Sequence, residues 1–167
     1  MTAYIPAGGG GVLPPATIPS SWASSAVGVS IVGAIYYYRN IGQGPVSNFN
    51  IRVFTQSGNI CISICSSSGG LPSSRIFTTG LIPCPAAGVA TIPLGTTLTL
   101  NQSHFFALQM DNTIATVLSV SGTPSAENMN MAGYAYFDNA NLTIPVPVVV
   151  PTPNGTIRGG CHYIGTS

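Results

Sequence analysis

Between Asn48 and Cys65 the chain alternates with a two-residue period. Phe49, Ile51 and Val53 are spaced by Asn50 and Arg52, and Ile60, Ile62 and Ile64 by Cys61 and Ser63. Such alternation belongs to a strand with one buried face. The intervening Gln56-Ser57-Gly58-Asn59 supplies turn chemistry, because glycine takes the positive φ of a tight hairpin. The stretch therefore predicts a β-hairpin.

The same period recurs along the chain. Val27 to Tyr38 reads as a strand with two fairly apolar faces: Val27, Val29, Ile31, Gly33, Ile35 and Tyr37 on one, and Gly28, Ser30, Val32, Ala34, Tyr36 and Tyr38 on the other. That pattern suits burial between two layers or against another subunit. Arg39 to Ser47 reads as a loop, and Ser66 to Ser74, rich in Ser and Gly, as an exposed one. Further strands are predicted over 75–79, 89–94, 97–100, 104–110, 114–120 and 133–137, with a last short one within 156–164. No segment combines a helix start signal with an apolar helical face. Many short strands parted by Gly, Pro and Asn turns predict an all-β fold, a jelly-roll-like β-sandwich.

Both ends depart from this pattern. Residues 1–25 are rich in Gly, Pro and Ser and predict either a disordered leader or an extended arm that orders on a neighbouring subunit, with Tyr4, Ile5, Val12, Leu13 and Trp22 as its apolar anchors. The sandwich is assigned to 26–140. Residues 141–167 form a Pro/Val-rich extension in which Ile144 to Pro151 suits an extended or polyproline edge. Val146, Val148 and Val149 are its candidate contacts to a partner.

Charge changes the picture more than hydrophobicity does. Only 4% of the 167 residues are charged, and lysine is absent, against roughly 25% in a typical soluble domain. So few charges give a lone monomer little protection against association, which points to a surface covered by partners or wetted by Ser, Thr and Asn. Nucleic-acid binding is not expected, since the net charge is +1 and no two arginines are close in sequence. Membrane insertion is not expected either. The longest apolar run, Ala26 to Tyr38, falls short of the ~20 residues a spanning helix needs, and fourteen prolines disrupt barrel strands. The opening MTAYIPAGGGG has neither the basic region nor the apolar core of a secretory signal. Without that context, the sequons at Asn101, Asn141 and Asn154 carry no message.

Candidate chemistry is sparse. Cys61 and Cys65 share a strand face about 13 Å apart at ~3.3 Å per residue, too far for a mutual disulfide. Cys65 with Cys84 remains open as a pair. A zinc set of Cys61, Cys65, Cys84, Cys161 and His162 lacks the close-spaced pairs of zinc ribbons. His104 and His162 could serve a nucleophile with Asp111 or Asp138, but no G-x-S-x-G elbow exists. Three acids leave little for a glycosidase pair. Asp138-Asn139-Ala140-Asn141 reads as an Asn-rich turn rather than a calcium loop. No catalytic, cofactor or metal residue is assigned. Tyr134 and Tyr136 share a strand face and could fill the core, pack at a subunit contact or stack on a sugar.

Three stretches within residues 46–120 carry a resemblance: VSNFNIRVFTQSGNICISIC, SSSGGLPSSRIFTTGLIPCPAAG and IPLGTTLTLNQSHFFALQMDN. Their order of strands, S-G turn, Gly-Pro loop, T-G strand, P-x-x-G and a closing Asp-Asn resembles a module of tailed-bacteriophage virion proteins, among them head decoration (cement) proteins and tail or fibre components. The resemblance spans under half the chain and implies no catalytic residues. It implies a non-enzymatic virion protein, a capsid decoration subunit that associates with itself as a homotrimer and with the major capsid protein. The alternative it leaves is a tail-fibre or spike module that recognises a host surface glycan.

Overall fold

The computed structural model describes residues 23–29, 31–40, 44–101, 103–121, 136–138, 143–150, 160–162 and 164–167. Among them there is no helix. Twelve strands run β1 (Ala23–Val27), β2 (Ile35–Arg39), β3 (Gly44–Thr55), β4 (Asn59–Ser68), β5 (Leu71–Thr78), β6 (Ile82–Pro83), β7 (Gly88–Leu100), β8 (His104–Met110), β9 (Thr116–Ser121), β10 (Tyr136–Asp138), β11 (Gly160–His162) and β12 (Gly165–Thr166).

They form two antiparallel sheets. The front sheet is ordered β1-β9-β3-β12, with β7 also on β3 and β11 on β9; the back sheet is ordered β10-β2-β8-β4-β5, with β6 on β4. The inward faces of the two sheets meet in one core. Phe49, Ile51, Val53, Ile92, Leu94 and Val117 come from the front, and Ile60, Ile62, Ile64, Phe106, Leu108 and Met110 from the back. Phe49 is the joint between them, edge-on to Phe77 at 6.2 Å and to Phe106 at 5.7 Å between ring centroids, a favoured aromatic geometry. The fold is all-β and sandwich-like.

The Asn48–Cys65 hairpin is not formed. β3 pairs with β7, β9 and β12, whereas β4 pairs with β5, β6 and β8. The chain turns at Gly58 and crosses from front to back, so the two strands face each other through side chains instead of sharing a ladder. Gly58 has φ +51, and a Cβ there would lie 2.5 Å from Asp111 Oδ1. The corner is filled by a polar knot. The Asn59 N–H donates to Asp111 Oδ1 at 2.7 Å and Asn59 Nδ2 to Asp111 Oδ2 at 2.6 Å. Asn112 Nδ2 donates to the Ser57 carbonyl, and Gln56 Nε2 to that of Cys84.

The true hairpin follows at once. Ser68 pairs with Leu71 across Gly69-Gly70, whose φ values are both positive (59 and 81), as a two-residue turn with the right twist demands. The expected exposed loop at 66–74 is thus two strands and a turn. The expected single strand over 27–38 is also broken. β1 lies in the front sheet and β2 in the back, and the link folds at Gly33, whose N–H donates to the Met110 carbonyl at 2.8 Å. The expected strands 89–94 and 97–100 are one strand, β7.

Candidate interaction surface

The back sheet is buried on both sides. On β4, Ile60, Ile62 and Ile64 face the core, yet the opposite residues Cys61, Ser63 and Cys65 are no more than 1% exposed. On β8 the same holds for Phe105, Ala107 and Gln109 opposite Phe106, Leu108 and Met110, and on β2 for Ile35 and Tyr37. Ile35, Tyr37, Cys65, Phe105 and Ala107 form a second apolar cluster together with Val146 and Val150. A third layer therefore covers the back sheet, and residues 143–150 belong to it.

This strap is extended, as its alternating prolines require. Proline has no N–H to give, so the strap is fixed by what remains. The Arg75 N–H donates to the Val148 carbonyl at 2.9 Å, and the Val150 N–H to the Ser73 carbonyl at 2.8 Å. Between them Ser74 and Val149 form an antiparallel bridge at the β5 edge. Two long side chains add clamps. Arg75 Nη1 donates to the Val146 carbonyl at 2.6 Å. Gln109 Nε2, inside the sheet, donates to the carbonyls of Thr143 at 2.7 Å and Gly33 at 2.9 Å. Burial pushes the Cys65 thiol up to about 12, against a smaller downward pull from Arg75; it is an inert buried thiol. Neither clamp residue was singled out by the sequence. A lone Arg in a Ser-rich stretch and a lone Gln in an apolar strand were the only signals.

The strap's outer side is apolar and open. Val148 is 59% exposed and Val149 79%. Ile76 on the adjoining β5 is 51% exposed. Few charges oppose this. Among the charged side chains described, Arg75 is spent on the strap and Asp111 on the β3–β4 corner, leaving Arg52, whose guanidinium lies 5.3 Å over the Phe54 ring.

The sequence candidates fall as follows. Val146 is fully buried against its own sheet, so in this arrangement it offers no surface to a partner, whereas Val148 and Val149 do. Tyr136 lies in β10 opposite Tyr37 of β2. Tyr4, Ile5, Val12, Leu13, Trp22 and Tyr134 lie outside the described residues, as does the arm. Cys61, Cys65 and Cys84 are buried free thiols, Cys84 in the main core and Cys65 in the second cluster, so the Cys65–Cys84 pair is not made. His104 Nδ1 accepts the Asn101 N–H at 3.1 Å, a turn contact. Among the described residues, no three His, Cys, Asp or Glu side chains are grouped to hold a metal, and no helix is long and apolar enough to cross a membrane. No protein-family model, curated protein or solved structure matches the chain.

Proposed function

We propose that this protein is a non-enzymatic structural subunit of a tailed-phage virion, a decoration or cement subunit that binds the capsid shell as a homotrimer. The observation that carries the reading is the combination of open valines with two half-buried charges that are engaged by the chain's own backbone. Exposed Val148, Val149 and Ile76 sit on a sheet edge without lysine, while Arg75 and Asp111 are consumed in holding the chain's own backbone. Isolated proteins guard such edges with charge; a subunit that is covered in use has no such need. Its action would be mechanical. Apolar and backbone-polar surface buried across neighbouring shell subunits adds free energy only in the assembled state, so the particle resists internal pressure. Partners are then copies of itself and the major capsid protein, and the place of action is the virion.

Light scattering on the purified protein, followed by co-sedimentation with empty shells, tests this. A defined oligomer that pellets with shells supports it. A monomer that leaves shells unbound overturns it, and glycan-array binding by that monomer would favour the receptor-recognition alternative.

A further inference from the structure

We propose that the free edge of β7 pairs with the same edge of a second copy, antiparallel about a two-fold axis at Thr91, so that two front sheets become one. This goes beyond the reading above and does not depend on it, since the contact joins two copies whether or not they are also gathered in threes.

The direction of the β7 main chain follows from its neighbours. Asn48 exchanges both main-chain bonds with Ser167, its N–H donating at 2.8 Å and its carbonyl accepting at 3.2 Å. On the extended run 48–53, Asn48, Asn50 and Arg52 therefore aim their main-chain groups towards the β12 side, and Phe49, Ile51 and Val53 aim theirs towards β7. Their register partners there are Ile92, Ala90 and Gly88. The alternate residues of β7, namely Val89, Thr91 and Pro93, then aim theirs away from β3. Among the described residues β7 pairs with β3 alone, so this outer edge carries no ladder. Its proline sits where no N–H is missed. The side chains of the same three residues are exposed, Val89 at 54%.

The edge is its own complement. Its donors are the N–H groups of Val89 and Thr91, and its acceptors the carbonyls of Val89, Thr91 and Pro93. Turned about Thr91, the two Thr91 residues exchange a pair of bonds, and each Val89 N–H meets the carbonyl of the partner's Pro93. Every donor is used, and only the Val89 carbonyl is left to water. The side chains agree. On the outer face Thr lies opposite Thr and Val opposite Pro, while on the core side Ala90 lies opposite the partner's Ile92. None of the 13 residues of β7 is charged, so no like charges face each other across the axis. A bulge is another common guard of an edge, and here it begins only beyond Pro93. There the register shifts between Val46 and Asn48, and Gly95 takes a φ of +70. Pairing is thereby confined to 89–93, the span that a two-fold at Thr91 uses. A second copy also closes the contact, because both free edges are consumed at once, whereas a foreign strand would bring a further open edge.

The test uses the full chain carrying Thr91→Cys, with Thr99→Cys as a control exposed on the same strand beyond the bulge. Pairing sets the two Cα atoms of residue 91 about 5.5 Å apart, a distance that a disulfide spans. Under mild oxidation, with each link located by peptide mass, Thr91→Cys should join to itself at least about tenfold faster than Thr99→Cys, because a formed contact holds the thiols at an effective concentration on the order of millimolar. Register is read separately by mixing Val89→Cys with Pro93→Cys, which should link to each other with a similar excess over either variant alone. That pair also serves should Thr91→Cys, which loses the bond from Thr91 Oγ1 to Asn50 Oδ1 at 2.9 Å, fail to fold. Equal rates at 91 and 99, with no excess in the mixed pair, overturn the contact. If light scattering still shows an oligomer in that case, the cement reading stands without it.

Discussion

The Asp111 carboxylate accepts two hydrogen bonds from Asn59, one from its backbone and one from its side chain, and a third from Asn112 Nδ2 at 3.0 Å. The Asn112 and Asn59 donors together hold its pKa below the ordinary carboxylate value. A lowered folded pKa contributes stability above the unfolded value and loses it as pH falls through the folded one. Asp111→Ala should therefore cost about 1 kcal/mol at neutral pH, water making up part of the loss at this partly exposed site. The gap between variant and parent should close as pH drops below ~4, as urea melts across that range would read. Gly58 sits against the same group. Gly58→Ala would place a Cβ 2.5 Å from Asp111 Oδ1 and 2.6 Å from Asn112 Nδ2 at a φ of +51. A loss of at least ~1 kcal/mol is expected, appearing as a lower urea midpoint with unchanged m.

At the scale of elements, the strands were legible and their partners were not. The β8 boundaries, His104 to Met110, follow directly from its apolar run, and the alternation on β3 and β4 marks which residues face the core. Local pattern cannot say whether two strands joined by a turn share a ladder or stack across a core, because Val53 and Ile60 point inward either way. The Ser-Gly turn at Gly58 therefore suggested a hairpin, while the Gly-Gly turn that makes the real one lay inside a stretch too polar to stand out. Likewise, of the two apolar faces read over Val27 to Tyr38, Ile35 to Tyr38 lie between layers, covered in part by residues more than a hundred positions away, whereas Val27, Ile31 and Val32 are exposed. Phe49 is where the two sheets depend on each other. Phe49→Ala should cost about 3–5 kcal/mol, and calorimetry should show a single lowered transition, since one core serves both sheets.

For the whole molecule, the distribution of exposed valine against engaged charge predicts separable effects. Val148→Lys with Val149→Lys should leave thermal unfolding within about 0.5 kcal/mol of the parent, since both side chains already face outward. It should shift the mass in light scattering towards monomer, because like charges would meet across any contact made by that edge. Unchanged mass would remove the valine edge from the assembly. This surface was half legible. The Pro/Val alternation declared an extended segment, but only the folded back sheet, with Arg75 and Gln109 as clamps, decides that Val146 turns inward while its neighbours stay out.

The front sheet closes with a pairing between distant parts of the chain: β12 lies on β3, and Asn50 Nδ2 reaches Ser167 Oγ across 117 positions. A ribosome makes β3 long before it makes β12. During synthesis β3 must wait with part of its edge unpaired, and the back sheet must wait for residues 143–150 to cover it. Long-range pairings of this kind fold slowly, and the waiting surfaces are the ones prone to misassociate at high expression. Cooler, slower production should favour soluble protein, and shortening the chain before Gly165 should harm yield more than trimming any exposed turn.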